Sequence, residues 1–275
     1  MVLTEIYIYP VKSLAGISLA EAAVSDRGLI NDRRWMIVDP RGMFLSQRQI
    51  PEMALLQVGL RPDGLRIAHK YKDIAPIDFC APDADSPEAS AQVWNDPCMV
   101  HAAPREVNQW LSEALETNCQ LVYMPDNSHR KVEEDFMRKG EIVSFADGFP
   151  FLIIGESALQ HLNDKLPKGV PMNRFRPNFV FSGAPPHAED EWAHFRMGEI
   201  DFYGVKPCSR CQVTTIDQAT GEMGKDPLKT LHGYRKKGNK VLFGMNLLHE
   251  GNGKIRVGDQ IEIVQKQPPI FDGSM

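Results

Sequence analysis

The chain has no long hydrophobic run. Its most apolar stretch, Phe149 to Gly155, falls far short of the roughly 20 residues that a helical membrane span requires. The N-terminus, MVLTEIYIYPVKS, places no basic segment before an apolar core, so no secretory signal and no membrane anchor are expected. Cysteine is sparse and odd in number, with five residues in 275, and Cys80, Cys98 and Cys119 stand singly. That pattern argues against a secreted disulfide framework and for a reducing cytoplasm. Excess positive charge is missing too: 31 Lys and Arg against 36 Asp and Glu leave a net charge of -5. Such a balance disfavours a general binder of nucleic acid or of anionic membranes. The motifs GxGxxG, GxxxxGK[ST], HExxH and GxSxG are all absent, which removes the usual nucleotide, zinc-protease and serine-hydrolase readings.

What remains is an ordinary globular composition, 43% hydrophobic, 24% charged and 8% aromatic, in a chain long enough to build its own core. Stretches rich in β-branched and aromatic residues predict strands at Leu3–Tyr9, Trp35–Val38, Met53–Leu60, Leu65–His69, Gln120–Met124, Phe151–Ile154, Asn178–Phe181, Ile200–Val205 and Gln212–Ile216. The alternation in KIRVGDQIEIV reads as a hairpin turning at Gly258-Asp259. Three helices are marked. Val107, Trp110, Leu111 and Leu115 recur at helical spacing after Pro104, and Ser157 with Gln160 resembles a capping box. Asp226-Pro227 offers a third helix start, with Gly238 as its stop. Pro82–Ala91 reads as a surface loop, and the polar stretch Pro125–Glu134 as a linker between two strand-rich halves. Gln267–Met275 reads as a frayed tail.

The clearest chemical feature is Pro207-Cys208-Ser209-Arg210-Cys211. A closed zinc site wants four ligands, which the scattered remaining cysteines and unpaired histidines do not offer. A redox dithiol wants a helix N-terminus at its first Cys, whereas a strand is expected to follow here. One thiolate could bind a soft transition metal belonging to a cofactor while the other packs, or both could be mere packing.

A second feature is a set of basic residues beside hydrogen-bonding neighbours: Lys12-Ser13, Asp32-Arg33-Arg34-Trp35, Ser46-Gln47-Arg48-Gln49, Arg174-Phe175-Arg176-Pro177-Asn178 and Ser209-Arg210. Each alone reads as a solvated charge; converged at strand edges, they would hold a phosphate or another multi-oxygen anion. The run Glu189-Asp190-Glu191 reads as a solvated loop, and the histidines show no metal-ligand spacing.

In order, YPVKS, NDRRWMIVD, SQRQIP, RFRPNFVFSG, PCSRCQVTTID, TGE, PLKTL and FGMN resemble the MOSC-domain proteins over roughly residues 1 to 265. Within them the chain is similar to the branch that includes the mitochondrial amidoxime-reducing component and its bacterial relatives. The resemblance implies a β-rich α+β protein: a β-barrel-like N-terminal domain at 1–125, a MOSC domain with a β-barrel core at 126–265, and a flexible tail at 266–275. It implies a molybdenum cofactor, a pterin dithiolene with a terminal phosphate, whose metal is held by Cys211. It also implies cofactor contacts from Lys12, Ser13, Arg33, Gly148, Phe149, Arg176, Asn178, Ser209 and Arg210.

The implied reaction is reduction of small N-oxygenated, N-hydroxylated substrates, with molybdenum taking the oxygen and Asp147 or a water assisting proton delivery. No Cys follows Cys211, so electrons are expected from a separate ferredoxin-, flavodoxin- or cytochrome-type protein. Two rivals stand beside this oxidoreductase. One is a sulfur- or persulfide-handling protein using Cys208 and Cys211, for which no pyridoxal-phosphate domain is seen. The other is a cofactor carrier without turnover.

Overall fold

The computed structural model describes residues 1–271. Its largest element is a nine-stranded sheet. Along it run Ile17–Leu19, Val2–Ile8, Phe179–Ser182, Phe151–Gly155, Lys240–Glu250, Ile200–Ser209, Trp192–Met197 and Ile261–Lys266, with Lys236–Lys237 pairing beside Lys240–Glu250. Phe151–Gly155 lies between a parallel neighbour, Phe179–Ser182, and an antiparallel one, Lys240–Glu250. All five of its residues are buried, as expected of an uninterrupted apolar run covered on both faces. Val2–Ile8 pairs with Phe179–Ser182, so the first strand of the chain is built into a sheet made mostly from its second half.

The remaining strands of the first half form smaller sheets. Trp35–Val38, Gln120–Tyr123, Asp96–Ala102 and Glu88–Val93 make one, and Leu56–Arg61, Gly64–His69 and Ile77–Cys80 another. Between them lies helix Arg105–Leu115, which buries Val107, Leu111, Ala114 and Leu115 against Trp35, Ile37 and Leu121. A separate core joins Leu3, Ile6 and Ile8 to Phe151, Phe179, Phe202 and Leu247 under the large sheet.

Several local expectations are corrected. The KIRVGDQIEIV segment is not a hairpin: Gly253–Arg256 pairs with Glu21–Ser25, while Ile261–Lys266 pairs with Trp192–Met197. The turn between them packs instead on the first strand, Leu3 exchanging backbone bonds with Asp259 and Gly258. Gln212–Thr215 is a 3-10 helix rather than a strand. Thr214 and Thr215 donate their hydroxyls to the carbonyls of Cys211 and Gln212, which favours the turn over an extended ladder. Helix Glu156–Asn163 starts from Gly155 with no side-chain cap, so Ser157 makes no capping box. Helix Leu228–Tyr234 ends before Gly238, which instead turns the chain into Lys240–Glu250.

Part of the expected loop is the strand Glu88–Val93, and the expected linker contains Arg130–Lys131, paired with Ile142–Val143. Glu189 and Asp190, read as solvated, are buried. The tail is held down as far as it is described. Gln267 bonds the backbone of Glu191 and Asp190, Lys237 donates to the Ile270 carbonyl, and Arg235 covers the Phe271 ring. Asp272 to Met275 lie outside the described residues.

Candidate functional site

One cleft gathers Lys12, Ser13, Arg33, Asp147, Gly148, Phe149, Arg176, Asn178, Ser209, Arg210 and Cys211, every site residue expected from the sequence. They reach it from turns rather than from strand centres. The Lys12 amide bonds the Trp35 carbonyl, and the Arg33 amide bonds that of Tyr9. Asn178, 1% exposed, joins three segments: its amide oxygen accepts from Arg33 and from the Leu152 amide, and its amide nitrogen donates to the Tyr7 carbonyl. Ser13, Arg33 and Arg176 all have left-handed backbones, with φ of 69°, 49° and 56°. For non-glycine residues that conformation costs about 1–2 kcal/mol each, and such strain gathers where the surroundings enforce a functional geometry.

The cleft is cationic. Lys12, Arg33, Arg48, Arg176 and Arg210 line it against a single carboxylate, Asp147. The Lys12 ammonium is 2.6 Å from Asp147 Oδ1 and donates to the Phe145 carbonyl at 2.8 Å. Burial pulls the Lys12 pKa below its ordinary value, and Asp147 works against that pull. Surrounding protein alone would raise the pKa of Asp147, although its side chain is 72% exposed to the cleft. Lys12 above all, with Arg48 and Arg33, instead holds the carboxyl well below the usual range.

Arg33 is paired with buried Asp32 at 2.7 Å, whereas Arg176 has no carboxylate partner within the cleft and donates to the Leu14 carbonyl at 2.7 Å. Burial lowers the Arg176 pKa to about 10, which leaves it charged at neutral pH. Tyr9 lies beneath both guanidiniums; burial raises its pKa to about 12, and its hydroxyl donates to the Pro177 carbonyl.

The two thiols differ. Cys211 is exposed, with an Arg48 nitrogen 3.9 Å from its sulfur. Cys208 is tucked beneath the strand end, where burial pushes its thiol pKa up although an Arg210 nitrogen lies 2.9 Å away. Among the described residues, no three His, Cys, Asp or Glu side chains come together as a metal site. A metal at Cys211 would therefore lack a closed set of protein ligands, which suits an ion already held by a cofactor's own donors.

Residues 1–118 match the MOSC N-terminal beta barrel domain, and residues 140–262 match the MOSC domain. The chain belongs to the MOSC-domain family. It is 32% identical over 280 residues to mitochondrial amidoxime-reducing component 1 of Mus musculus, a match covering 94% of this chain and 81% of that one. The Homo sapiens counterpart is 31% identical, with 94% and 82% covered. A molybdenum cofactor sulfurase of Solanum lycopersicum is 30% identical, but the match spans only 35% of that longer protein.

For this MOSC protein, sequence reasoning missed Arg48 in the cleft, Trp94 in the chamber beside it and Tyr9 buried beneath Arg33 and Arg176. Arg48 stood out only as one of several surface cations. Nothing in the local sequence marks Trp94, which reaches the cleft through the pairing of Glu88–Val93 with Asp96–Ala102.

Proposed function

We propose that this MOSC protein is a molybdenum-cofactor-dependent reductase of small N-hydroxylated compounds, supplied with electrons by a separate redox protein of ferredoxin, flavodoxin or cytochrome type. The observation that carries this reading is the exposed Cys211 thiol in a five-cation cleft of a net-negative chain. The donor set fits the group. A soft thiolate suits molybdenum, and the cations with backbone amides suit a pterin phosphate. Arg210 Nε is buried with no hydrogen-bond partner among the described residues, an orphaned donor at the cleft wall.

In this reading Cys211 holds the metal, Arg33, Arg176 and Arg210 hold the anionic end, and Asn178 and Ser209 hold the pterin edge. Lys12, Ser13, Gly148 and Phe149 close the other wall. The bound group supplies two-electron, oxygen-accepting chemistry. Overall, an N–O bond breaks: R–NHOH, two electrons and two protons give R–NH2 and water. Asp147 already accepts hydrogen bonds from Lys12 and Trp94 and is held ionised, so its role here is to position those two side chains rather than to donate a proton.

The test is metal and pterin content of wild type and Cys211→Ser from a host that makes the cofactor, followed by turnover of a hydroxylamine with a chemical reductant. Near one molybdenum per chain in wild type, much less in the variant, and turnover only in wild type support the proposal. Wild type without metal sinks it. A loaded wild type without turnover leaves the carrier reading in its place.

A further inference from the structure

Trp94 is one of few large apolar side chains left exposed, at 40%. It sits in the turn joining Glu88–Val93 to Asp96–Ala102, on a left-handed backbone of φ 55°. Its indole is nevertheless fixed. The Nε1–H donates to Asp147 Oδ1 at 3.3 Å, the Arg48 guanidinium lies 4.4 Å from the ring centre, and the Phe44 ring lies 5.0 Å away. The Trp94 carbonyl is held as well, accepting from the Gln92 side chain at 2.8 Å. The same Arg48 that touches the indole reaches the Cys211 sulfur. Trp94, Phe149, Lys206 and Cys211 then line one outer chamber, which opens from the cationic cleft.

We propose that Trp94 determines specificity for the reductase reading above, stacking flat, conjugated substrates so that their N–OH head lies toward Cys211. An indole already locked at its edge and backed by a cation loses little freedom when a ligand lies against it. A conjugated ring gains offset-stacking energy there, whereas a puckered saturated ring cannot lie flush. An exposed aromatic side chain on a strained backbone, held in place by three neighbours, is poorly explained by packing alone.

The test uses the holoenzyme and two substrates with one head group, benzamidoxime and cyclohexanecarboxamidoxime. Wild type should prefer the aromatic substrate in kcat/KM. In Trp94→Ala that preference should fall roughly five- to tenfold, mainly through KM, and Trp94→Phe should keep most of it. Benzamidoxime should also quench tryptophan emission of wild type and not of Trp94→Phe, a binding readout independent of turnover.

A merely structural role would slow both substrates alike. An unchanged preference without Trp94-dependent quenching therefore overturns the platform while the reductase stands. Quenching without turnover of either substrate keeps the platform and overturns the reductase.

Discussion

Arg33 donates to the backbone carbonyl of Arg176 at 3.1 Å, and the two guanidiniums each lie 4.2 Å from the centre of the Tyr9 ring. Two like charges brought together on one ring, both on left-handed backbones, repel each other although Asp32 pairs with Arg33. An anion between them turns repulsion into shared attraction.

The cofactor-free protein should therefore gain thermal stability from pyrophosphate. At a hundredfold excess over the dissociation constant the gain is about 2.7 kcal/mol. Melting curves with and without the anion measure it, and Arg176→Ala should remove most of the shift. A shift of equal size in that variant would place the anion elsewhere.

The contrast between the thiols gives a second expectation. Under limiting iodoacetamide at neutral pH, exposed Cys211 should be alkylated well before Cys208, whose thiol burial holds protonated. Trypsin cuts after Arg210, so the two sites fall in different peptides and mass spectrometry reads each separately. Equal labelling would favour the dithiol alternative.

Glu189 is fully buried, with one carboxylate oxygen bonded to the Gly155 amide and the other without a partner. Burial, and then the neighbouring Asp190, raise its pKa from 4.5 to about 7. Between those two values the folded protein keeps a proton that the unfolded chain has released, so stability falls as pH rises through that window. Glu189→Gln should thus be more stable than wild type at pH 8, by on the order of 3 kcal/mol, and the gap should shrink toward pH 4. Urea titrations at several pH values measure it. A gap that does not vary with pH would mean the carboxyl does not titrate there.

The sequence displayed the chemistry better than the topology. Lys12, Arg33, Arg176 and Cys211 sit beside turn-forming residues in distinctive local strings, and the fold brings all four to one cleft. Strand pairing carries no such local mark. The alternation of KIRVGDQIEIV specifies two strands and a turn but not their partners, which lie in Glu21–Ser25 and Trp192–Met197. Glu189 and Asp190 misled for a related reason: the buried ion pair between Asp190 and Arg235 exists only once distant segments meet. Trp94 was invisible because its role depends on Arg48 and Asp147, neither of them near it in sequence.

The pairing of Val2–Ile8 with Phe179–Ser182 has a consequence for synthesis. A chain made from its N-terminus carries the apolar segment VLTEIYI unpaired on that side until Phe179–Ser182 has been made. The cleft waits with it, because Lys12 follows directly on this strand and Arg33 bonds to Tyr9 at its end. Order of manufacture and order of assembly differ here: a strand made early completes its pairing only when a partner from the second half arrives.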